Sequence, residues 1–517
     1  MVVRQLLGLC AGLTIVANAA AAQEPTTSQG AALLRAARRL LVAGQLAPAQ
    51  EVAEKAVAAR PSSVPALLTL GEILEARGDL EGATGAYERA VRAAPSHAAA
   101  HDKLGFVLGR QKLVQDAIDH FQRAIAIDPG FFDAQYHLGA TRWWTRDLPG
   151  AVEPLRAAVR LQPRHPEARY YLGVTLRQLG HLDEAIDHLR DAVRLGPSIA
   201  PAHLQLGVAL QASGDLDGAV SHLRRAAALD PASAEALNSL GLALMQKGDG
   251  KDAAETFRRV VASHPAFPAA RLNLGTALMH QGDLTGAVDV LRALTADEPR
   301  NAEAFCNLGV ALKQQDDFDG AEAALRRAAS LDPALADAPF TLGVVVWQTG
   351  RAEEAAPLFR EALARRPRYA DAHYMLGVVL KQLGQLDEAI QQFRAAVEAR
   401  PEMAEGHSSL AQALQQTGDA AGARAAQSAA DRLNQRKADA QASTFAMSVG
   451  QQKLKAGDRA GAIAQFREAV RLADDNAQAH YALAVALEAS GARAEARRHF
   501  DRARQLAPYL VRAERRQ

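Results

Sequence analysis

The sequence has little of several residue types, and each shortage excludes a class of protein. Only two of its 517 residues are cysteine, which excludes a small fold held together by a disulfide framework. Aromatic residues make up 5%, which disfavours a β-sandwich, because strands are rich in them. The formal net charge is +1, which argues against a polybasic nucleic-acid-binding protein. Hydrophobic residues make up 49%, so the chain is not intrinsically disordered.

The first 22 residues have the features of a secretory signal. Arg4 provides a positive charge, residues 6–17 are largely apolar, and Ala20 to Ala22 are the small residues that a signal peptidase requires. We therefore expect cleavage after about Ala22, a linker at 23–29, and a protein of the periplasm or cell envelope, or a secreted one.

Two alternatives to cleavage fit the residues less well. The apolar run is too short to span a membrane comfortably as an uncleaved anchor. Cys10 could carry a lipid, but Leu9 is too large for the position before a lipidated cysteine. No other stretch approaches twenty apolar residues, so we expect no membrane span after cleavage. Cys306 is then the remaining cysteine.

Glycine and proline recur with one period along the rest of the chain. Eleven prolines follow one another every 34 residues from Pro61 to Pro401. Alanine does the same from Ala49 to Ala423. Such a period predicts a repeat protein. The glycines of the same register are Gly71, Gly105, Gly139, Gly173, Gly207, Gly241, Gly275, Gly309, Gly343 and Gly377.

These residues resemble the tetratricopeptide repeat (TPR) family, whose two-helix unit is 34 residues long. The family favours tryptophan at repeat position 4, leucine at 7, glycine at 8, tyrosine at 11, alanine at 20 and 27, phenylalanine at 24 and proline at 32. The chain departs from the family at position 4, where the third unit has His101 instead of tryptophan, and at position 11, where it has Leu108. The residues of that unit that carry the resemblance are Leu104, Gly105, Ala117, Phe121, Ala124 and Pro129.

The resemblance implies an all-α protein, an α-solenoid coiled as a right-handed superhelix of about fourteen repeats. Twelve units run without a gap over 30–437, an insert occupies 438–442, two more units cover 443–510, and 511–517 form a tail. Neither glycine nor proline occurs between Gly422 and Gly450. The second helix of unit twelve is therefore predicted to continue towards unit thirteen, which would set the last two units apart as a small lobe.

The sequence contains no catalytic motif that we recognise. Only 1–29, 438–442 and 511–517 lie outside repeats, too little for a catalytic domain. Histidines recur at positions 4 and 23, as His101 and His120 do, which we interpret as a helix-surface choice repeated with the motif rather than a metal site. Cys306 is expected to be buried and inert. We therefore expect no enzyme activity, no cofactor and no metal.

In the TPR family, positions 2, 5, 6, 9, 12 and 13 of each unit line a concave groove. Units such as 370–403 also resemble the repeats of O-linked N-acetylglucosamine transferases, in which asparagine at position 6 bonds to the backbone of an extended peptide. The resemblance thus implies two groups of candidate contacts. The polar group contains Ser239, Asn273, Asn307, Thr341, Lys313 and Lys381. The aromatic group contains Tyr136, Trp143, Trp144, Tyr170, Trp347 and Tyr374.

The function that follows is a non-enzymatic scaffold that binds other proteins or extended peptides. Two alternatives remain open: an accessory subunit of envelope polysaccharide or protein export, and a substrate-gathering array that acts beside a glycosyltransferase. The sequence contains no stretch that could form a transferase domain itself. Nucleic acid is not an expected partner, because the charge is neutral.

Overall fold

The computed structural model describes residues 28–265 and 267–507, which contain 27 α-helices and no strand. The predicted signal segment 1–22 and tail 511–517 lie outside these residues. By compactness the chain divides into two units, residues 1–209 and 210–517, each of which is described by itself. Up to α23, odd-numbered helices are the first helices of repeats and even-numbered helices are the second. Helix α24 belongs to units twelve and thirteen, and in the last two units α26 is a first helix and α25 and α27 are second helices.

In unit 1–209 the helices are α1 (Ser28–Val42), α2 (Leu46–Ala59), α3 (Val64–Ala76), α4 (Leu80–Ala93), α5 (Ala98–Arg110), α6 (Val114–Ile127), α7 (Phe132–Trp144), α8 (Leu148–Leu161), α9 (Pro166–Gln178), α10 (Leu182–Leu195) and α11 (Ala200–Ser213), in which the division falls.

In unit 210–517 they are α12 (Leu216–Leu229), α13 (Ala234–Lys247), α14 (Gly250–Ser263), α15 (Pro268–Gln281), α16 (Leu284–Asp297), α17 (Ala302–Gln314), α18 (Phe318–Leu331), α19 (Asp337–Gln348), α20 (Ala352–Arg365), α21 (Ala370–Gln382), α22 (Leu386–Ala399), α23 (Ala404–Gln416), α24 (Ala420–Lys455), α25 (Arg459–Leu472), α26 (Ala477–Ala489) and α27 (Arg493–Leu506).

The turn between the two helices of a repeat is built from glycine and aspartate. Gly180 and Gly384 have φ values of +85° and +78°, which glycine adopts without the steric penalty of a Cβ atom. At the corresponding turn of another repeat, Asp215 follows Gly214 and caps helix α12. Its Oδ1 accepts a hydrogen bond of 2.9 Å from the Gly218 amide. Helix α4 ends at Ala93, just before Pro95, which cannot continue a helix. The predicted turn and stop signals are confirmed.

The repeated glycine at position 8 lets the two helices of a unit approach closely. A Cβ atom added to Gly241 would lie 2.5 Å from ring carbons of Phe257, and one added to Gly377 would lie 2.7 Å from the Phe393 ring. Phe257 and Phe393 are fully buried, so neither ring can move into solvent. The aromatic or leucine side chain at position 24 therefore fills the space that the glycine leaves.

Each compact unit has a core of alanine, leucine and a few large rings. In unit 1–209, Tyr87 and Phe121 are fully buried among alanines of the second helices. In unit 210–517, Phe257, Phe359 and Phe393 have the same role at the same repeat position. Small residues bring the helices together and one large side chain per repeat fills the interior, as in other closely packed protein cores.

The long helix α24 confirms the prediction of a continuous helix beyond unit twelve. It runs for 36 residues, from Ala420 to Lys455, through the predicted insert at 438–442. Residues 434–442 are exposed except for the half-buried Asp439. Farther along, Met447 packs with Phe466 and Leu483 in a buried cluster of the last two repeats. Whether these repeats form a separate lobe stays a prediction.

Replacing Gly241 by alanine should destabilise the repeat that contains it. The new methyl group would overlap the buried Phe257 ring, and overpacking of this kind costs roughly 1–3 kcal/mol. Contacts in a repeat array are made within a unit or with its neighbours, so the loss should stay local. Amide hydrogen exchange should speed up in α13 and α14 and remain unchanged in α25 to α27.

The matched control is Gly250→Ala, because a Cβ atom at Gly250 would make only ordinary contacts, at 3.8 Å or more. This variant should keep the protection of the parent protein. A uniform loss of protection in all helices of the Gly241→Ala variant would contradict local coupling.

Candidate functional site

The first helices of consecutive repeats lie side by side. In unit 210–517, α15 contacts α17, α17 contacts α19, α19 contacts α21, and α21 contacts α23. Side chains that join neighbouring first helices recur at repeat positions 5, 6, 9, 12 and 13. In unit 210–517 the structure therefore brings five of the six predicted groove positions together as a continuous row along α13 to α23, and this row is the candidate site.

The two predicted asparagines take part in bonds along this row. Asn273 Nδ2 donates to Asn238 Oδ1 of the preceding repeat at 2.8 Å, and Asn307 Nδ2 donates to Thr276 Oγ1 at 3.4 Å. Both asparagines are half-buried, as is Ser239. Thr341 is only 9% exposed, so little of its surface is available to a ligand.

The remaining predicted residues of this unit lie on helices α17, α19 and α21. Trp347 Nε1 donates to Gln382 Oε1 at 2.9 Å, and Lys381 Nζ donates to Gln412 Oε1 at 2.9 Å. Lys313 is half-buried. Tyr374 is half-buried too, and its ring lies 6.0 Å from the Phe393 ring, so part of it belongs to the core.

In unit 1–209 three of the predicted aromatic residues, Tyr136, Trp143 and Tyr170, form one cluster on α7 and α9. Tyr171 lies at its centre, with ring centroids 5.2 Å from Trp143, 5.1 Å from Tyr170 and 6.0 Å from Tyr136. Tyr136 is only 8% exposed, because its ring packs into the cluster, whereas Trp144 is 47% exposed. Of this group, Trp144 therefore offers a large apolar surface to a partner.

The indole nitrogen of Trp143 is buried without a hydrogen-bond partner among the described residues. The repeat-equivalent Trp347 does have one, Gln382, which lies 35 residues farther along. Gln178 stands at the same distance from Trp143, but it is exposed and does not accept this bond. A tryptophan at position 12 and a glutamine 35 residues later thus form a hydrogen bond in unit 210–517 but not in unit 1–209.

Sequence reasoning missed a buried ion pair between Asp102 on α5 and His137 on α7. His137 Nδ1 lies 2.8 Å from Asp102 Oδ1, and Asp102 is 2% exposed. Burial acts to lower the pKa of His137, but the charge and hydrogen bond of Asp102, aided by Asp133, raise it above the ordinary value. The partners are 35 residues apart. A search of the sequence for oppositely charged residue types at this spacing could have found them.

The interpretation of the repeated histidines as a helix-surface choice is wrong at position 4, where three of them are buried. His101, His203 and His480 at position 4 are 4%, 5% and 3% exposed, and the rings of His101 and His480 lie against a histidine of the second helix of their repeats. Nε2 of His101 lies 3.0 Å from the Pro95 carbonyl, and its Nδ1 lies 2.9 Å from Nδ1 of His120 at position 23. The sequence period shows that histidine recurs at positions 4 and 23, but it does not show that these two positions face each other.

His480 and His499 form the same arrangement in the last repeat. Nε2 of His480 is 3.1 Å from the Asp474 carbonyl, which can only accept, so Nε2 must donate. In the neutral pair, Nδ1 of His480 then accepts from Nδ1 of His499 at 2.9 Å. A proton on both Nδ1 atoms would make two N–H groups face each other. The pair is thus sensitive to protonation.

The described residues show no group of three or more histidine, cysteine, aspartate or glutamate side chains that could hold a metal ion. Cys306 is buried at 6% exposure, as expected, and burial raises the pKa of its thiol to about 12. It is therefore a poor nucleophile at neutral pH. Within the same residues, no helix combines the length and the apolar character needed to cross a membrane.

Family models agree with this arrangement of repeats. A tetratricopeptide repeat model matches residues 34–98, 83–130, 136–198 and 450–510, and a second TPR repeat model matches 209–248. A model of the C-terminal domain of cilia and flagella-associated protein 70 matches 233–447. The described residues form an all-α solenoid of helical repeats, a fold suited to protein–protein interaction. The chain belongs to the tetratricopeptide repeat family.

Several solved structures are similar to parts of the chain. YrrB, described as a TPR protein with an unusual peptide-binding site, is 26% identical over 36% of this chain and 97% of its own, with a TM-score of 0.33. PilF of Pseudomonas aeruginosa is 20% identical over 40% and 95%, with a TM-score of 0.38. Yeast Tom70 is 14% identical over 79% and 96%, with a TM-score of 0.39. No curated protein sequence matches the chain.

Acidification should weaken the last repeat through His499. Burial, and then the neighbouring His480, lower the pKa of His499 below its ordinary value of 6.5; Arg498 and Arg467 act the same way and Glu495 opposes them. Below pH 6.5 the unfolded state therefore binds more protons than the folded state, so stability falls as the pH falls. The slope is at most about 1.4 kcal/mol per pH unit for one histidine. Hydrogen exchange in α26 and α27, corrected for intrinsic rates, should report this loss between pH 7.5 and 5.5.

A His499→Gln variant should show a smaller pH dependence. The chain already contains the matching pair, since His373 Nδ1 lies 2.7 Å from Gln392 Oε1 in unit eleven. Helices α21 and α22, which carry that pair, serve as the internal control. Equal loss of protection in α21–α22 and α26–α27 on acidification would disprove the proposed role of the His480–His499 pair.

Proposed function

We propose that the protein is an exported, non-enzymatic scaffold that holds partner proteins or extended polypeptide segments along the row of first helices. The observation that supports this most directly is that the side-chain amides of Asn273 and Asn307 make only part of the hydrogen bonds open to them. Each donates one N–H within the row, while its carbonyl oxygen and second N–H make no bond to the other described residues. An amide side chain with one donor and one acceptor left over can bond to a peptide group.

The spacing of the row fits an extended ligand. Neighbouring packed helices lie about 8–10 Å apart, and an extended chain advances about 3.3 Å per residue. One asparagine therefore corresponds to about three residues of ligand. Contacts of this kind are made to the backbone and tolerate changes of ligand sequence. This tolerance is what a scaffold for several partners needs.

The double variant Asn273→Ala, Asn307→Ala should bind extended peptides more weakly. Each lost hydrogen bond costs about 0.5–1.5 kcal/mol, so the pair should weaken binding by roughly ten-fold. The probe is a set of dodecapeptides selected from a random display library against the parent protein. Affinities are measured by calorimetry, and circular dichroism should show unchanged helicity.

Asn434→Ala is the matched control, because Asn434 is exposed on α24, away from the row. It should leave the affinities unchanged. If the selected peptides bind the double variant as tightly as the parent, the asparagines do not form the binding site. Truncation of Trp144, which follows the clustered Trp143 and is exposed, would then be the next test.

Export is tested separately. The full chain expressed in a Gram-negative host should appear in the periplasm with a new N-terminus near Gln23, because residues 20–22 provide the expected cleavage site. N-terminal sequencing of the fractionated protein gives the answer. A cytoplasmic product that retains Met1 would refute the proposed localisation.

A further inference from the structure

A strip of six side chains runs along the C-terminal ends of helices α17, α19 and α21. It consists of repeat positions 12 and 13 in units nine to eleven, which we call the amide strip. Its three glutamines are exposed, and Trp347 and the two lysines are half-buried. The members are Lys313, Gln314, Trp347, Gln348, Lys381 and Gln382.

The amide strip is continuous, because its helices contact one another in sequence and its side chains bond across them. Helix α17 contacts α19, and α19 contacts α21. The Trp347 indole is fixed from the next helix by its 2.9 Å bond to Gln382. The amine of Lys381 is directed to the following helix, where it bonds to Gln412. Trp347, Gln382 and Lys381 are therefore held in place by bonds to neighbouring helices.

The two lysines carry positive charge that no carboxylate neutralises. Neither Lys313 nor Lys381 forms an ion pair with the described residues, whereas Lys247 lies 2.8 Å from Asp217 and 3.5 Å from Asp249. The amide strip itself contains no acidic residue. A surface with unpaired cations and no anions is complementary to an anionic ligand.

The acidic residues of the same helices lie in the first turns, at the ends opposite the lysines, and those of α19 and α21 have other partners. Glu303 lies in the first turn of α17. Asp337, in the first turn of α19, pairs with Arg366 at 2.9 Å. Asp371, in the first turn of α21, pairs with Arg400 at 2.5 Å. These two ion pairs lie at the N-terminal ends of α19 and α21, whereas the amide strip lies at the C-terminal ends. The excess positive charge stays at the amide strip.

We propose that the amide strip binds an extended acidic segment of a partner polypeptide, a specificity that rests on the proposed scaffold function. Two helix spacings separate Lys313 from Lys381, about 20 Å, which corresponds to about six residues of extended chain. Residues six apart point to the same side of a strand. The segment therefore carries carboxylates at i and i+6, with an apolar side chain at i+2 or i+4 on Trp347.

The exposed glutamines complete this recognition. The amides of Gln314 and Gln348 make no bond to the other described residues, and Gln382 keeps both donors beside its bond to Trp347, so all three can bond to the backbone between the anchoring side chains. An anionic polysaccharide is the other class of ligand that a surface of lysine, tryptophan and amide side chains could bind. A polyuronate has a charge on every ring, which calls for a continuous row of cations, whereas here an indole separates two lysines. The polypeptide is therefore the better match.

The test uses the full chain and three synthetic peptides. The first is Ser-Glu-Ser-Leu-Ser-Ser-Ser-Glu-Ser, which has the proposed spacing. The second replaces both glutamates by glutamine. The third moves the last glutamate forward by one residue, to the other side of the strand. The first peptide should bind most tightly, and its affinity should fall as salt is added, because screening weakens exposed charges.

The double variant Lys313→Gln, Lys381→Gln should weaken binding of the acidic peptide by roughly ten-fold, since two exposed ion pairs are lost. The Lys313→Arg, Lys381→Arg variant should retain most of the affinity. The control is Lys251→Gln with Lys437→Gln, which removes two exposed lysines elsewhere in the same unit. It should leave binding unchanged, and circular dichroism verifies the fold of each variant.

The outcomes separate this proposal from the scaffold function. If the glutamine peptide binds as well as the acidic one, and binding depends on Asn273 and Asn307, the scaffold function stands and the acidic specificity fails. If polygalacturonate binds through the two lysines and the acidic peptide does not, the polypeptide specificity also fails. If neither the test peptides nor the library peptides bind, both proposals are overturned.

Discussion

The close approach of two helices at a repeated glycine is the constraint on which the other features depend. At Gly241 and Gly377 no side chain can be added without overlap with a buried phenylalanine of the second helix. This contact sets how the two helices of a repeat pack, and packing is what stabilises such short helices. Because the contact recurs every 34 residues, each repeat presents its first helix in the same way as the one before it.

The side-by-side arrangement of first helices follows from this packing and creates the candidate site. Residues that are 35 apart meet across neighbouring first helices, as Asn238 and Asn273 do with amides and Trp347 and Gln382 with an indole and an amide. The Asp102–His137 ion pair has the same spacing. The same 35-residue spacing therefore determines which buried residues pack together and which surface residues lie side by side. The residue types placed at these positions then decide what each part of the row can bind.

The two compact units use that rule for different chemistry. In unit 1–209 the row contains the aromatic cluster around Tyr171 and the buried Asp102–His137 pair. In unit 210–517 it contains amides, and lysines such as Lys313 that have no carboxylate partner among the described residues. The structural residues hardly vary, whereas the first-helix surface does. This separation of framework from surface is expected of repeat proteins, in which neighbouring units supply the core.

The sequence by itself determined the repeat length and the turns and stops of the helices, and it pointed to the continuation of α24, because each depends on local residue types such as glycine at Gly180 and proline at Pro95. The family resemblance also assigned the candidate residues to the first helices of the repeats. Only the tertiary structure decided that Tyr136 and Thr341 are largely buried and that the position-4 histidines face position 23. Burial and side-chain pairing depend on the neighbouring helix, and a repeat position does not specify which residue that helix presents.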